Sequence, residues 1–570
     1  MRQKNTNRKR QDYKVTVIHK YFFYFFLLFL LLSSVLHAQE ALKSTEEEYY
    51  DFLALQGLTK RPTLNYRTLS DSVWIIDEDA SHPWQGQNLG IWHDLFGDFR
   101  MRAYGPQLFM SGNTAAPYGH NDGVLWQGRG FNALLKSGVR FEGYGIELTI
   151  LPHFAFSQNA DFEIMPSHYE SEYGYYWGYG EPRSNSGGAD APQRFGDKPF
   201  FDWDFGDSEI RYTWKTFTVG FGTQAIWLGS SYLNSMFHTN NAPAYPKFDI
   251  GLRKQKVTLP WLGWYIGEIE ARIWVGQLAE SDYFDTDDEN NYTMIHGLSL
   301  AYAPSFLPGL TLFVNRVCLV DWKWENLKFI FPLNVNTTED QKMSFGFSWV
   351  FTQVGFEVYG EMGYDDYVAG GALGYMRHPF HTTVYTLGLK KKLQIKPEKR
   401  IYSEINFEFN WMEMTQDFQL QWPYSFYFHH LITHGYTNRG QWLGNGISPG
   451  GNSQYLCFTL FYPKGKSSFF ISRNNPDSNF IYKQAVYASA EGYDLGRKFF
   501  RKNKANFNLG LNTSYFIKSN FVLSGGIVYN LLINPQYFYD NVKDDDGHDV
   551  IQQNTYLHNL TLQLGIKIIF

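Results

Sequence analysis

Cysteine, charge and long apolar runs are all scarce in this chain of 570 residues. Cys318 and Cys457 are the only cysteines, which excludes a disulfide framework and CxxC metal or redox chemistry, although the two can still pair with each other. Beyond residue 32, no apolar run reaches the ~20 residues that a membrane-spanning helix needs. The net charge is −6 and no basic block follows the N-terminal segment, so nucleic acid is not expected as a partner.

The N-terminal segment has the composition of a secretory signal. Basic residues concentrate in residues 1–20, an apolar run occupies residues 21–32, and small residues lead to Ala38. Because this run is shorter than the ~20 residues of a spanning helix, we predict a signal peptide over residues 1–38, with cleavage after Ala38. A retained single-helix anchor is the alternative.

Aromatic side chains, in contrast, are abundant. Tyr, Phe and Trp make up 19% of the residues, and charged residues make up 19%, which is below the ~25% of typical soluble domains. A membrane β-barrel averages lipid-facing and water-facing positions, and its aromatic residues concentrate at the two membrane interfaces. The mean hydropathy of −0.36 is therefore compatible with a protein that crosses a membrane with strands.

The last residues alternate strictly between two kinds of side chain. Large apolar side chains stand at every second position from Leu560 to Phe570. The residues between them are Thr561, Gln563, Gly565, Lys567 and Ile569. This period of two gives a strand one face for lipid and one for water, with a half-buried strand of a soluble sheet as the alternative. The pattern resembles the closing strand of bacterial outer-membrane barrels, so we expect the barrel assembly machinery to recognise Phe570.

Similar alternating segments fill the rest of the chain from residue 98 onward, and Gly, Asn, Asp and Pro clusters separate them. They are 100–110, 134–141, 146–156, 209–220, 267–277, 294–302, 310–320, 342–351, 355–363, 381–391, 401–411, 456–462, 469–473, 507–517, 521–531 and 556–570. The sequence predicts an all-β protein in which residues 98–570 form a transmembrane antiparallel β-barrel of roughly 16–18 strands.

A short lead segment, residues 39–97, precedes the predicted barrel. Thr45 and Glu48 have the spacing of a capping box, and Tyr49, Phe52 and Leu53 continue as a helical apolar stripe. Extended structure is predicted after Pro62. We expect this helical and extended lead to lie on the periplasmic side and to pack against or into the mouth of the barrel.

The sequence gives little support for metal or catalytic chemistry. The insert 167–207 is polar and rich in Tyr and Gly. The acidic stretches 281–291 and 541–549 lack EF-hand spacing, so solvated loop charge is favoured over a calcium site there. The group His429, His430 and His434 lacks the further ligands of a zinc site. No GxSxG, phosphate loop or dinucleotide motif occurs, so no catalytic residue, metal or cofactor is predicted.

Three polar-aromatic segments, at 118–130, 237–246 and 434–454, carry the candidate binding residues. Sugars bind to such surfaces because their apolar CH faces stack on rings while their hydroxyls exchange hydrogen bonds with amide and guanidinium groups. The candidates for contact with glycan or for lining the lumen are Tyr436, Thr437, Arg439, Gln441, Asn445, Trp126, Gln127, Arg129, His238, Asn240 and Asn241. Filling a large lumen and bracing its loops is the alternative role for these residues.

In these segments and others the chain resembles the Wzi-type capsule assembly family of outer-membrane proteins, in its Bacteroidetes-like branch. The motifs that carry the resemblance are 64–67, 71–72, 121–130, 240–243, 274–280, 308–312, 358–361, 365–367, 385–389 and, most strongly, 435–444. Together they follow one another in order over most of the mature chain.

The resemblance implies a non-enzymatic barrel of the bacterial outer membrane that needs no cofactor. Its implied role is to bind, attach or organise exported capsular or other surface polysaccharide at the cell surface. The expected partners are this polysaccharide, outer-membrane lipid and the barrel assembly machinery, and the expected state is a monomer. A porin-like channel for oligosaccharides and an outer-membrane hydrolase are the alternatives.

Overall fold

The computed structural model describes residues 44–76, 81–164, 189–284, 290–330, 339–365, 371–413, 426–429, 431–447, 450–476, 504–535 and 554–570. The predicted signal peptide, the acidic stretch 541–549, His430 and most of the insert 167–207 lie outside these residues.

Just over half of the described chain is antiparallel strand. The strands are β1 His93–Phe96, β2 Phe99–Asn113, β3 Gly130–Gly143, β4 Ile146–Ile150, β5 His153–Ser157, β6 Phe200–Asp204, β7 Glu209–Trp214, β8 Phe217–Gly222, β9 Lys247–Thr258, β10 Tyr265–Ala279, β11 Tyr292–Pro304, β12 Leu310–Asp321, β13 Asp340–Phe351, β14 Phe356–Asp365, β15 Thr383–Lys396, β16 Ile401–Trp411, β17 Thr437–Asn438, β18 Gln441–Trp442, β19 Asn452–Tyr462, β20 Gly465–Asn475, β21 Ala505–Lys518, β22 Phe521–Ile533 and β23 Tyr556–Ile568. The helices are α1 Thr45–Ala54 and α2 Gly371–Arg377, with 3-10 turns at Trp324–Ile330 and Pro397–Lys399.

The sheet closes on itself because β23 pairs with both β22 and β2. β4 and β5 are two halves of one strand, since both pair with β3, and β6 and β7 form the next strand in the same way. β1 pairs only with β2, and β17 and β18 form a separate small hairpin. The result is a closed barrel of 18 strands, which confirms the predicted fold class and falls within the predicted range.

Two barrel strands, β8 and β9, were not predicted as separate strands from the sequence. The segment 209–220 is a hairpin of β7 and β8 that turns at Lys215 and Thr216. β9 was missed because its side chains toward the lumen include Lys247, Asp249 and Arg253, which interrupt the apolar signal. Charge on a lumen face is stable because that face is shielded from lipid, so a charged strand still belongs to the barrel.

The outer surface of the barrel is an apolar belt. In β23, Leu562 and Leu564 are 54% and 42% exposed, whereas Thr561 between the neighbouring apolar positions is fully buried in the lumen. Large apolar side chains such as Phe345, Leu387 and Leu509 are exposed on other strands in the same way. Such a belt is the surface that lipid covers in outer-membrane barrels. Among the described residues, no helix is long and apolar enough to cross a membrane.

The two ends of the barrel differ. At one end the strands are joined by short turns, such as 144–145, 463–464 and 519–520; at the other, long segments such as 114–129 and 223–246 connect them. We call these the short-turn end and the long-loop end. In bacterial outer-membrane barrels, short turns face the periplasm and long loops face the outside.

The first described part of the lead, residues 44–76, begins with α1, which lies inside the short-turn end. The N-cap is Ser44, whose Oγ accepts a hydrogen bond from the Glu47 N–H at 3.1 Å, so the predicted capping box at Thr45 and Glu48 is wrong by one residue. Glu48 instead accepts a hydrogen bond from the Tyr232 hydroxyl at 2.8 Å. The buried face of α1 packs on the barrel wall, with the Phe52 ring stacked at 4.2 Å on Phe461.

Beyond α1 the lead runs through the lumen as an irregular chain with turns at 69–71, rather than in the predicted extended form, and charged side chains of the wall hold it. The Glu270 carboxylate accepts hydrogen bonds from three successive backbone N–H groups, those of Leu64, Asn65 and Tyr66, at 2.8, 3.0 and 2.7 Å. Further along, Asp71 is paired with Arg253 at 2.7 Å and with Arg272 at 3.1 Å. The lead is thus fixed to the wall by buried, charge-assisted bonds.

Next to the lead the lumen is filled by a packed apolar cluster. Tyr66 of the lead, Phe237, Trp274 and the pair Tyr427 and Tyr436 are all buried within it. These side chains come from the lead, the wall and the long loops, so the three parts share one core. The described residues therefore build a barrel whose lumen is occupied by its own chain.

Candidate functional site

The three predicted binding segments meet inside the long-loop end. They belong to loop A (114–129, between β2 and β3), loop B (223–246, between β8 and β9) and loop C (412–451, between β16 and β19). The Gly123 N–H donates to the Asn240 carbonyl at 2.7 Å, the Asn241 Nδ2 donates to the Trp442 carbonyl at 2.9 Å, and the Gln441 Nε2 donates to the Gly123 carbonyl at 3.1 Å. Each loop is thus bonded to the other two.

Loop C reaches this position through the hairpin of β17 and β18. Arg439 and Gly440 at its turn both have positive φ, 50° and 80°, which is the geometry that a two-residue hairpin requires. Gly440 supplies this geometry without strain. The turn brings Thr437 and Gln441 to neighbouring strands of one tight hairpin.

Four of the predicted residues are packed inside the loops. Tyr436, Thr437, Asn445 and His238 are at most 1% exposed. The Tyr436 ring stacks on Tyr427 at 5.3 Å, and His238 Nε2 lies 2.7 Å from the Tyr245 hydroxyl. Burial lowers the pKa of His238 to about 3, so its ring is neutral at pH 7. In the structure these four residues brace the loops.

Between the loops and the wall of β19 to β23 lies a chamber of about 600 Å³. Four predicted residues line it, namely Trp126, Gln127, Asn241 and Gln441. Asn240 contributes its backbone carbonyl to the junction of loops A and B. Arg129 binds the carbonyls of Thr114 and Asp161, and Arg439 pairs with Asp202 of β6, so neither of these arginines lines the chamber.

One wall of the chamber is a ladder of side-chain amides. Asn559 donates to Asn530, Asn530 to Asn508, and Asn508 to the Ser472 hydroxyl, each at 2.9 Å. The ladder crosses four neighbouring strands, because Asn508 and Asn559 both stand opposite Asn530 in the strand register. It fixes the orientation of the amides along the wall.

Several amide oxygens of the residues that line the chamber have no hydrogen-bond partner among the described residues. The buried Oδ1 atoms of Asn234, Asn474, Asn506 and Asn512 accept no hydrogen bond from the described residues. Buried polar atoms in folded proteins nearly always have a partner. These side chains therefore have hydrogen-bonding capacity that the described residues do not use.

Aromatic rings also line the chamber, from loop A and from strands β19 and β20 of the wall. Trp126, Tyr118, Tyr455 and Phe470 line it, and the Trp126 ring is supported from behind by Phe195 at 5.3 Å between ring centroids. A ring held in this way presents a rigid apolar face. A chamber lined by both amide groups and aromatic rings suits a ligand that has both hydroxyls and apolar CH faces.

The charged groups of the chamber are few. Arg473, Lys504 and Asp122 line it. The Asp122 carboxylate accepts hydrogen bonds from the Gln127 Nε2 at 2.6 Å and the His120 N–H at 2.7 Å, and burial raises the pKa of Asp122 to about 6. At neutral pH the two cations outnumber the one carboxylate.

The remaining sequence candidates for metal or disulfide chemistry have structural partners. His434 Nδ1 lies 2.9 Å from the Thr293 hydroxyl, and His429 Nδ1 accepts the Ile432 N–H at 3.1 Å. Within the described ranges, no group of three His, Cys, Asp or Glu side chains is placed to hold a metal ion. Cys318 and Cys457 are both free and buried, on strands β12 and β19, which are not neighbours.

Sequence reasoning missed the wall of the chamber. Asn506, Asn508 and Asn512 occupy alternating positions of β21, and Arg473 and Asn474 end β20. Amides repeated with a period of two were a signal of a polar lumen face. The predicted candidates instead lie in the loop segments, where aromatic and polar residues stand together.

Comparison with known proteins agrees with this architecture. Residues 168–319 match the family model described as Capsule assembly protein Wzi. A similar solved structure is Wzi of Escherichia coli, an outer-membrane protein involved in group 1 capsule assembly and described as a carbohydrate-binding β-barrel; it is 13% identical, with a TM-score of 0.53, over 83% of this chain and 84% of that chain. At this identity the likeness concerns the fold. No curated protein matches the chain.

Two other barrels align with lower scores. OprB of Pseudomonas putida is 11% identical, with a TM-score of 0.33, over 83% of this chain and 94% of that chain. OccAB2 of Acinetobacter baumannii is 10% identical, with a TM-score of 0.36, over 82% of this chain and 97% of that chain.

The chain is an outer-membrane β-barrel whose resemblance to the Wzi capsule assembly family, inferred from its sequence motifs, is confirmed by the family match over residues 168–319 and by the fold of its barrel.

Proposed function

We propose that this protein binds surface polysaccharide in the chamber at its long-loop end and thereby holds or organises the polysaccharide at the cell surface. The observation that carries the proposal is the chamber itself, in which a wall of amides with unused oxygens faces the rings of Trp126 and Tyr118. Sugar rings match both sides, because their hydroxyls donate to amide oxygens and their CH faces stack on aromatic rings.

The orientation expected for an outer-membrane barrel supports the proposal. The long-loop end faces the outside, by the rule that holds for outer-membrane barrels, and the lead then lies on the periplasmic side. The E. coli Wzi barrel, which shares the fold, is described as carbohydrate-binding and involved in capsule assembly. Both points support a role at the outer surface rather than inside the cell.

The role is proposed to be binding without bond cleavage and without passage through the barrel. The packed cluster around Tyr66, Trp274 and Tyr436 fills the lumen between the lead and the loops, which argues against a porin-like channel. Most of the polar groups on strands β21 to β23 of the chamber wall are amides, which are suited to hydrogen bonding and are weak as nucleophiles or general bases. We propose that one chain suffices for this role, because the chamber is built by a single barrel.

Replacing Trp126 by Ala tests the chamber directly. We expect the affinity for the cell's own purified surface polysaccharide to fall by about tenfold, because the change removes a supported stacking face worth about 1.5 kcal/mol. Surface plasmon resonance with the detergent-purified barrel measures this affinity. Trp261→Ala is the matched control, since Trp261 is fully exposed at the short-turn end and far from the loops. Equal losses in both variants, or none in Trp126→Ala, would contradict the proposed site.

The two neighbouring hairpin residues Arg439 and Gln441 are expected to behave differently. Gln441 lines the chamber, so Gln441→Ala is expected to weaken polysaccharide binding by about threefold to tenfold through the loss of one hydrogen-bonding group. Arg439 points to Asp202 instead, and Arg439→Ala is expected to change binding by less than about twofold. Retention of polysaccharide on intact cells is the readout, with barrel abundance measured in parallel. A larger effect of Arg439→Ala would move the site toward β6.

A further inference from the structure

We propose that the chamber selects a polysaccharide that carries carboxylate groups, and that Arg473 is the residue that recognises the carboxylate. This inference rests on the proposed polysaccharide-binding function and names the class of sugar that the site takes: an acidic sugar such as a uronic acid.

The partners of Arg473 distinguish it from four other arginines of the lumen. Those arginines are neutralised by carboxylates at 3.1 Å or less: Arg140 by Glu142 and Glu147, Arg211 by Glu209 and Asp249, Arg253 by Asp71 and Glu147, and Arg272 by Asp71 and Asp249. Arg473 has no ion pair with any described residue. A partly buried cation is stabilised by a counter-charge, and a ligand in the chamber can supply one.

Neutral groups hold the Arg473 side chain in place and leave its binding edge open. Nη1 donates to the Asn452 Oδ1 at 2.6 Å and to the Gln454 Oε1 at 3.0 Å. Nε and Nη2 donate to no described residue. These two nitrogens form a planar pair of donors, which matches the two oxygens of a carboxylate. The guanidinium is therefore oriented by amides and is available to an anion.

The surroundings of Arg473 reinforce this preference. Asp122, the one carboxylate among the described lining residues, is already engaged by Gln127 and the His120 backbone. The unused amide oxygens of Asn474 and Asn506 lie in the same chamber and can accept the hydroxyls of the same sugar. A sugar ring with both hydroxyls and a carboxylate therefore meets complementary groups throughout the chamber.

The test compares two forms of one ligand on the intact barrel. The probe is the cell's own purified surface polysaccharide, either native or with its carboxylates reduced to primary alcohols by carbodiimide activation and borohydride. We expect the native form to bind the unaltered protein at least about tenfold more tightly, and this preference to weaken at high salt, since charge attraction is screened. We expect Arg473→Gln to lose the preference and to bind both forms about equally.

The controls separate this inference from the proposed function. Arg473→Lys keeps the charge without the planar fork and is expected to retain only part of the preference, whereas Arg100→Gln, which removes an arginine at the short-turn end, is expected to retain all of it. If the unaltered protein binds native and reduced polysaccharide equally, or if the native polysaccharide contains no carboxylate, the inference is overturned while the binding function stands. If neither form binds, the proposed function itself fails. Because the first comparison uses the unaltered protein, it is decisive even if a variant does not fold.

Discussion

Glu270→Ala is expected to release the lead from the lumen. The Glu270 carboxylate is the shared acceptor of the backbone N–H groups of Leu64, Asn65 and Tyr66, and it is buried. A hydrogen bond to a charged acceptor contributes about 1.5–3 kcal/mol, and a buried donor without a partner costs about 1–3 kcal/mol. The docked lead is therefore expected to lose at least about 3 kcal/mol.

Limited trypsin digestion measures this release. The lead contains Lys60, Arg61 and Arg67, which become substrates when the segment leaves the barrel. Glu268→Ala is the matched control, because Glu268 stands two positions away on β10 and only pairs with Lys254, at 3.2 Å, near the surface. The control is expected to cost less than about 1 kcal/mol and to stay protected. Cleavage of both variants at the same rate would show that Glu270 does not hold the lead.

Tyr436→Ala is expected to loosen the loops that fill the long-loop end. Tyr436 is completely buried, stacks on Tyr427 at 5.3 Å and lies within the cluster that the lead, the wall and the loops share. Removing a buried aromatic side chain costs about 3–5 kcal/mol, because the cavity is only partly closed by relaxation. The interlocked arrangement of loops A, B and C then loses its central contact.

Planar-bilayer recording distinguishes the closed barrel from the loosened one. The unaltered protein is expected to pass no sustained current, and Tyr436→Ala is expected to show intermittent channel openings as the loops separate. Tyr436→Phe is the control, since it keeps the ring and loses only a hydroxyl that lies 3.4 Å from His238 Nδ1. A wide, steady current through the unaltered protein would contradict the packed lumen and would favour the porin-like alternative.

The candidate site illustrates how far the sequence reaches. Residue type alone singled out loops A, B and C, and the structure brings the three loops together. It could not separate Trp126 and Gln441, which line the chamber, from Tyr436 and Asn445, which are buried behind it. Both groups contain aromatic and amide side chains, so residue type does not distinguish them. The path of each loop decides which side chains face the chamber.

The amide wall shows the same limit more clearly. Asn508 and Asn559 are 51 positions apart in the chain, yet both are bonded to Asn530 because their strands are neighbours in the barrel. Arg473 is also unremarkable in the sequence, and its importance comes from the amides that orient it and from its lack of an ion pair with the described residues. No pattern of neighbouring residues in the sequence predicts these contacts between distant side chains.

The sequence by itself determined the class of fold, because the two-residue period of a strand is a local property that each segment from 100–110 to 556–570 carries independently. It also indicated the lead and the family resemblance. Tertiary structure alone decided that the lead occupies the lumen, that the loops close the other end, and that a chamber of amides and rings remains between the loops and the wall. The physical reason is that closure of the barrel brings distant strands into contact, and contacts between residues far apart in the chain follow from strand order and loop path rather than from local periodicity.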